Sequence, residues 1–98
     1  MQTMTTTQVQ RAIESGVALK LIDVREVEEV EAGHIPSSIN IPLSVLELRM
    51  PELDKNEKYI VVCRSGNRSG MATQLLESHG FDATNMIGGM REWQGEVE

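Results

Sequence analysis

In the stretch Tyr59-Ile60-Val61-Val62-Cys63-Arg64-Ser65-Gly66-Asn67-Arg68-Ser69, a run of aromatic and β-branched residues passes directly into a polar, arginine-rich loop. The apolar run predicts a buried β-strand. Beyond the loop, apolar residues recur every three or four positions, which predicts an amphipathic helix that begins near Arg68 or Ser69 and ends at Gly80. The stretch therefore predicts a strand, a tight loop and a helix, with Cys63 at the carboxyl end of the strand.

The remaining segments alternate between the same two kinds of element. The sequence predicts a first helix ending at Gly16, a strand over residues 19–24, a short acidic helix, an edge strand limited by Pro42, a small helix closed by Pro51, a strand over residues 81–86 and a last helical turn near Trp93. Such alternation implies an α/β fold, with a small, mainly parallel, twisted sheet flanked by helices on both faces. With 98 residues, we expect one domain, residues 1–98.

Composition narrows the classes of partner. The net charge of −6 argues against nucleic acid, because phosphate binding needs a basic surface. Part of the acid is concentrated in one run, which indicates a solvated helix face and comprises Glu26, Glu28, Glu29 and Glu31. No apolar run is long enough to span a membrane, so we expect no membrane partner.

The single cysteine restricts the compartment and the kind of site. One cysteine cannot form an internal disulfide, and a reducing compartment fits this count best. No signal peptide is visible, so we expect a cytoplasmic protein. We also expect a monomer without a cofactor, and no metal site, because a second cysteine is lacking and the two histidines are far apart in sequence.

The loop that follows Cys63 is suited to activating a thiol. A thiol reacts as its thiolate, and its pKa falls near a helix N-terminus or beside cations. Gly66 lies at the centre of the loop, so backbone N–H groups can form a cradle for an anion, while Arg64 and Arg68 add positive charge. A lone cysteine after a valine-rich strand is usually inert and buried. An inert core cysteine would not, however, be expected at the start of a polar, arginine-rich turn such as the one after Cys63.

Four motifs resemble those of the rhodanese family. They are the active-site loop at residues 63–69, the strand motif Leu21-Ile22-Asp23-Val24-Arg25-Glu26, the loop Gly33-His34-Ile35-Pro36, and Gly88-Gly89 followed by Trp93. The motifs occur in the family's order and cover nearly the whole chain. Departures occur at Ser37-Ser38, where a Gly-Ala pair is common, and at Val30, where an aromatic residue is frequent.

The resemblance implies a sulfurtransferase that moves sulfane sulfur through a persulfide on Cys63. The donor would be thiosulfate or another small anionic persulfide, and the acceptor would be cyanide, a thiol or a protein. The implied substrate-binding residues are those of the loop, namely Arg64, Ser65, Gly66, Asn67, Arg68 and Ser69. Asp23 and Arg25 would brace this loop, with a purely structural strand-end salt bridge as an equal alternative. His34 is expected to be a hydrogen-bonding loop residue, and His79 to interact with the helix dipole or with helix carbonyl groups.

Two rival functions remain open from the sequence. Phosphatases and arsenate reductases on the same fold also use a cysteine thiolate in an anion cradle, but the phosphatase loop is one residue longer than the six residues from Cys63 to Arg68. A histidine also often precedes the phosphatase cysteine, where this chain has Val62. A protein-interaction module or non-enzymatic sulfur carrier is the other alternative, although modules of this fold that are catalytically silent have lost the cysteine.

Overall fold

The strand, loop and helix predicted around Cys63 are present in the computed structural model, which describes residues 1–98. Strand β4 spans Lys58–Val62 and helix α4 spans Asn67–Ser78. Helix α4 begins slightly earlier than predicted, because Gly66 adopts a left-handed conformation with φ of 105° and provides the N-cap. Cys63 is thus the first residue after the strand, at the carboxyl edge of the sheet.

Ten further elements and turns complete the chain around this unit. They are β1 (Gln2–Thr5), α1 (Thr6–Glu14), β2 (Lys20–Asp23), α2 (Val27–Glu31), β3 (Ile39–Asn40), α3 (Leu46–Arg49) between 3-10 turns at Leu43–Val45 and Met50–Glu52, β5 (Asp82–Ile87) and α5 (Gly89–Glu92). Pro51 was predicted to close the small helix, and instead it lies within the second of these 3-10 turns. None of the helices has both the length and the apolar character needed to cross a membrane.

The sheet has five strands in the order β1-β5-β4-β2-β3, and every neighbouring pair is parallel. This confirms the predicted α/β class and the edge strand at Ile39–Asn40. Strand β1 was not predicted. Its side chains are largely exposed and it pairs only with β5, so its sequence carries little of the alternating pattern by which strands are identified.

Two hydrophobic clusters pack on opposite faces of the sheet. Ile22 and Val61 face one cluster together with Leu76 of α4, whereas Leu21 and Ile60 on the same strands face the other cluster together with Val9 of α1. Successive residues of a strand point to opposite faces, so consecutive apolar residues serve both layers. The sheet is therefore covered on both sides, and its carboxyl edge carries the loop that follows β4.

Candidate active site

The Cys63 side chain lies inside the loop between β4 and α4. The residue is only 1% exposed, and its Sγ atom accepts a hydrogen bond from the backbone N–H of Gly66 at 3.0 Å. The Ser69 Oγ atom lies 3.2 Å from the same sulfur. The left-handed conformation of Gly66 turns this part of the loop back toward the sulfur, which a residue with a Cβ would adopt only under strain.

Opposing effects act on the ionisation of Cys63. Burial raises the pKa of the thiol, but the contact with the Ser69 side chain and the backbone N–H groups of Ser69, Gly66 and Ser65 lower it by more. The pKa of Cys63 therefore lies below the ordinary value for a cysteine. A helix N-terminus and two arginines are expected from the sequence to lower this pKa, but in the structure the hydrogen bonds of the loop itself lower it.

A buried polar contact that the sequence analysis missed lies behind the sulfur. The Ser69 hydroxyl donates to Asn85 Oδ1 at 2.5 Å, and the Asn85 amide donates to the carbonyl oxygen of Gly66 at 3.3 Å. Asn85 is a residue of β5 and only 4% exposed. Asparagine is uncommon in the middle of a buried strand, and this was the only signal in the sequence that Asn85 contacts the cysteine loop.

Helix α5 holds the other side of the loop. The N–H of Met90 donates to the carbonyl oxygen of Cys63 at 2.8 Å, and the N–H of Arg91 donates to that of Arg64 at 2.9 Å. Gly89 approaches so closely that a Cβ there would overlap the carbonyl group of Arg64. Gly89, the first residue of α5, is therefore required by its contact with the cysteine loop.

Arg68 forms an ion pair with α2. Its two terminal nitrogens lie 2.6 and 2.8 Å from the carboxylate oxygens of Glu29, and both side chains are about a third exposed. The hydrogen bond from Arg68 lowers the pKa of Glu29 to about 2. The prediction of a solvated acidic face is therefore wrong for Glu29, and the positive charge of Arg68 is matched by a carboxylate. The exposed neighbours of Glu29 in the acidic run agree with that prediction.

Asp23 and Arg25 form a buried pair at the end of β2. The two side chains meet at 2.8 Å, and the guanidinium of Arg25 also donates to the carbonyl oxygens of Glu29 and Gly33. No hydrogen bond joins this pair to the loop at residues 63–69. The pair instead fixes α2, which carries the carboxylate bound by Arg68, so its link to the loop is indirect.

Three of the predicted loop residues face outward. Arg64, Ser65 and Asn67 are exposed, whereas Cys63 and Ser69 are buried. The guanidinium of Arg64 has no hydrogen-bond or ion-pair partner, and it lines an open cavity of about 360 Å³. Its neighbours around this cavity are Arg25, Glu29, Ala32, Met90 and Arg91. Arg64 is therefore free to meet a ligand arriving from outside.

The two histidines make local contacts. His34 Nδ1 lies 3.1 Å from the carbonyl oxygen of Val30, and His79 Nδ1 lies 3.0 Å from that of Leu75, one turn earlier in α4. Both contacts match the hydrogen-bonding roles expected from the sequence. Neither histidine has a hydrogen bond to the cysteine loop.

Comparison with known proteins identifies the class of domain. The model of the family described as "Rhodanese-like domain" matches residues 5–96. A rhodanese-like domain protein from Staphylococcus aureus superposes with a TM-score of 0.94 at 34% identity, and the match covers 100% of this chain and 97% of that one. The chain therefore belongs to the rhodanese-like domain family.

Curated relatives share this domain in different settings. The chain is 40% identical over 95 residues to YtwF of Bacillus subtilis, whose name describes a sulfurtransferase, and spans 92% of that protein. It is 41% identical over 87 residues to YrkF of the same organism, whose name describes a sulfur carrier protein. The match covers 88% of this chain but only 47% of YrkF, so this chain spans about half the length of that relative.

Proposed function

We propose that this protein is a sulfurtransferase that moves sulfane sulfur through a persulfide on Cys63. The observation that carries the proposal is the environment of the sulfur: Cys63 directly follows the buried strand β4, and its Sγ atom receives the N–H of Gly66 at 3.0 Å. Membership of the rhodanese-like family and the sulfur-related names of its relatives support the same chemistry. The expected donors are thiosulfate or a small persulfide, and the expected acceptors are cyanide, a thiol or a protein.

The reaction has two displacement steps. In the loading step, the Cys63 thiolate attacks the sulfane sulfur of the donor, a new S–S bond forms, and the old S–S bond breaks with its electron pair leaving on sulfite or on the donor thiolate. In the discharge step, the acceptor attacks the terminal sulfur of the persulfide, and the electron pair of the broken bond returns to Sγ. Each step begins and ends with an anion, so the loop must stabilise negative charge throughout.

The loop residues have distinct proposed roles. The N–H of Gly66 donates to the reacting sulfur, and the N–H groups of Ser65 and Ser69 also lower its pKa. Together with the N–H of Asn67, these groups are proposed to hold the persulfide's negative charge. Arg64 is proposed to bind the anionic donor, because its guanidinium is exposed and without a partner beside the cavity. Arg68 is proposed to fix the start of α4 through Glu29, a role supported by their short contacts.

Asp23 and Arg25 are proposed to support the site from a distance. Their buried pair anchors α2, and α2 presents Glu29 to Arg68. Loss of this pair would release the far side of the Arg68 contact. We therefore assign them a supporting role and no contact with substrate.

The test is the mass of the intact protein after incubation with thiosulfate. We expect one added sulfur atom on the wild type, removal of that sulfur by dithiothreitol or cyanide, and no addition to Cys63→Ser. Repeated thiocyanate formation with cyanide then separates an enzyme from a carrier that is loaded once. Failure of the wild type to gain sulfur from thiosulfate and from a small organic persulfide would refute the proposal, as would full turnover by Cys63→Ser.

A further inference from the structure

A row of buried polar atoms runs inward from the reactive sulfur. Cys63 Sγ lies 3.2 Å from Ser69 Oγ, which lies 2.5 Å from Asn85 Oδ1, and Asn85 Nδ2 lies 3.3 Å from the carbonyl oxygen of Gly66. Cys63, Ser69 and Asn85 are each at least 95% buried. Because water cannot replace a missing partner at such depth, the positions of the hydrogens in this row can be deduced from the chemistry of its atoms.

The orientation of Asn85 is set by Gly66. A backbone carbonyl oxygen can only accept, so the NH₂ group of Asn85 must face Gly66 and its oxygen must face Ser69. Ser69 has one hydroxyl proton, and the short contact to Asn85 Oδ1 takes it. The Ser69 oxygen is then left as an acceptor toward Cys63, which matches a protonated thiol that donates S–H to Ser69.

We propose that Asn85 is a positioning residue that turns the Ser69 hydroxyl away from Cys63 and thereby favours the protonated sulfur over the thiolate. When the thiol ionises, Ser69 can keep its proton on Asn85 and present a lone pair to the negative sulfur. Alternatively, it can turn the proton to the sulfur and leave the buried oxygen of Asn85 without a donor. Either choice costs free energy, so Asn85 opposes the effect of the loop N–H groups.

The charged groups around Cys63 do not duplicate this effect. Arg68 on α4 is paired with Glu29 of α2, and Asp23 and Arg25 on β2 form their own closed pair. Arg64, the next residue in the loop, is exposed and without a partner. The direction of one buried hydroxyl is therefore a local control on ionisation that is separate from the surrounding charges.

The proposed control distinguishes between states of the catalytic cycle. In a persulfide, Sγ carries neither a proton nor the main negative charge, so Ser69 can continue to donate to Asn85 without penalty. Only the thiolate, which must attack the donor, conflicts with the Ser69–Asn85 hydrogen bond. This inference rests on the proposed role of Cys63 as the nucleophile, but it is tested through thiol ionisation alone and so can fail independently of sulfur transfer.

The experiment measures the rate of alkylation of Cys63 by iodoacetamide as a function of pH. Asn85→Leu removes the acceptor and frees the Ser69 proton for the thiolate, so we expect a lower pKa of the Cys63 thiol. At a pH below both pKa values, alkylation should be on the order of tenfold faster than in wild type, which corresponds to the free energy of one redirected buried hydrogen bond. Asn85→Asp supplies a stronger acceptor and a negative charge, so we expect a higher pKa and slower alkylation. Thr84→Val, which removes the neighbouring hydroxyl on β5 that donates to Gln2, is the matched control and should leave the profile unchanged.

A double variant separates this control from a general loosening of the loop. In a Ser69→Ala background there is no hydroxyl to redirect, so Asn85→Leu should no longer accelerate alkylation. An equal acceleration in both backgrounds would overturn the proposal, as would shifts of the same sign for Asn85→Leu and Asn85→Asp, or no shift for either. If Asn85→Leu does not fold, Asn85→Asp should slow alkylation by more when Ser69 is present than in the Ser69→Ala background, where only the added charge acts, and equal slowing in both backgrounds would overturn the proposal.

Discussion

The ion pair between Arg68 and Glu29 provides a quantitative test of how the site is held together. A pKa of Glu29 lowered from 4.5 to about 2 would correspond to roughly 3 kcal/mol if all of it contributed to stability. Both side chains are 32% exposed, however, and solvent reduces pairs of this kind to about 1 kcal/mol or less. We therefore expect Glu29→Gln to lower the free energy of unfolding by about 1 kcal/mol at pH 7.

The contribution of Glu29 should depend on pH in a defined direction. Because its pKa is lower in the folded state than in the unfolded state, the unfolded state binds more protons between about pH 4.5 and pH 2. The stabilisation is therefore fully present above about pH 4.5 and is lost as the pH falls through about 2. The difference between wild type and Glu29→Gln should shrink accordingly as the buffer is made more acidic.

Urea unfolding at pH 7, pH 4 and pH 3 measures this difference, and the slope of the free energy against urea should stay the same in all variants. Glu28→Gln is the matched control, because Glu28 is exposed and lies in the same helix without an ion-pair partner. The reasoning is refuted if the two variants unfold at the same urea concentration at pH 7. It is also refuted if the deficit of Glu29→Gln does not decline at low pH.

Three further changes test the loop and its surroundings. Arg64→Ala should raise the KM for thiosulfate in the loading step, because it removes a contact worth about 1.5–3 kcal/mol. Discharge of a preformed persulfide to a neutral thiol should be unchanged. Equal single-turnover loading rates for Arg64→Ala and wild type would remove the donor-binding role. The wild type should not hydrolyse an aryl phosphate, and robust hydrolysis that depends on Cys63 would contradict the argument from loop length. Insertion of one residue after Gly66 should weaken sulfur transfer. Gly89→Ala should lower stability by more than Gly16→Ala in urea unfolding, because both residues have positive φ but only Gly89 lacks room for a Cβ; equal losses would show that the close approach is unimportant.

The parts of the fold that could be predicted are those encoded by neighbouring residues. The strand at Lys58–Val62, the loop and the helix after it follow from a β-branched run, a glycine and a helical period, all of which are local signals. Strand β1 could not be predicted, because its exposed side chains carry no pattern and it is held by backbone pairing to β5 at the other end of the chain. A strand defined by its partner leaves little trace in its own sequence.

The same distinction applies to the site. Cys63 and its loop could be identified because they are contiguous, whereas the Glu29–Arg68 pair joins residues 39 positions apart and the Ser69–Asn85 pair joins residues 16 apart. In the sequence Glu29 is one acid among several and Asn85 one polar residue in a strand. Only the packing of α2 and β5 against the loop selects these two residues from their neighbours.

Gly89, at the start of α5, illustrates how a distant residue contributes to the chemistry of the loop. The carbonyl oxygens of Cys63 and Arg64 are bound by the N–H groups of Met90 and Arg91, and the carbonyl oxygen of Gly66 is bound by the N–H of Gly70 in α4. Carbonyl oxygens near a persulfide would repel its negative charge, whereas N–H groups attract it. Because α4 and α5 take up the carbonyl groups, the loop can direct N–H groups at the sulfur, and this division of polarity requires the close approach that only a glycine at position 89 permits.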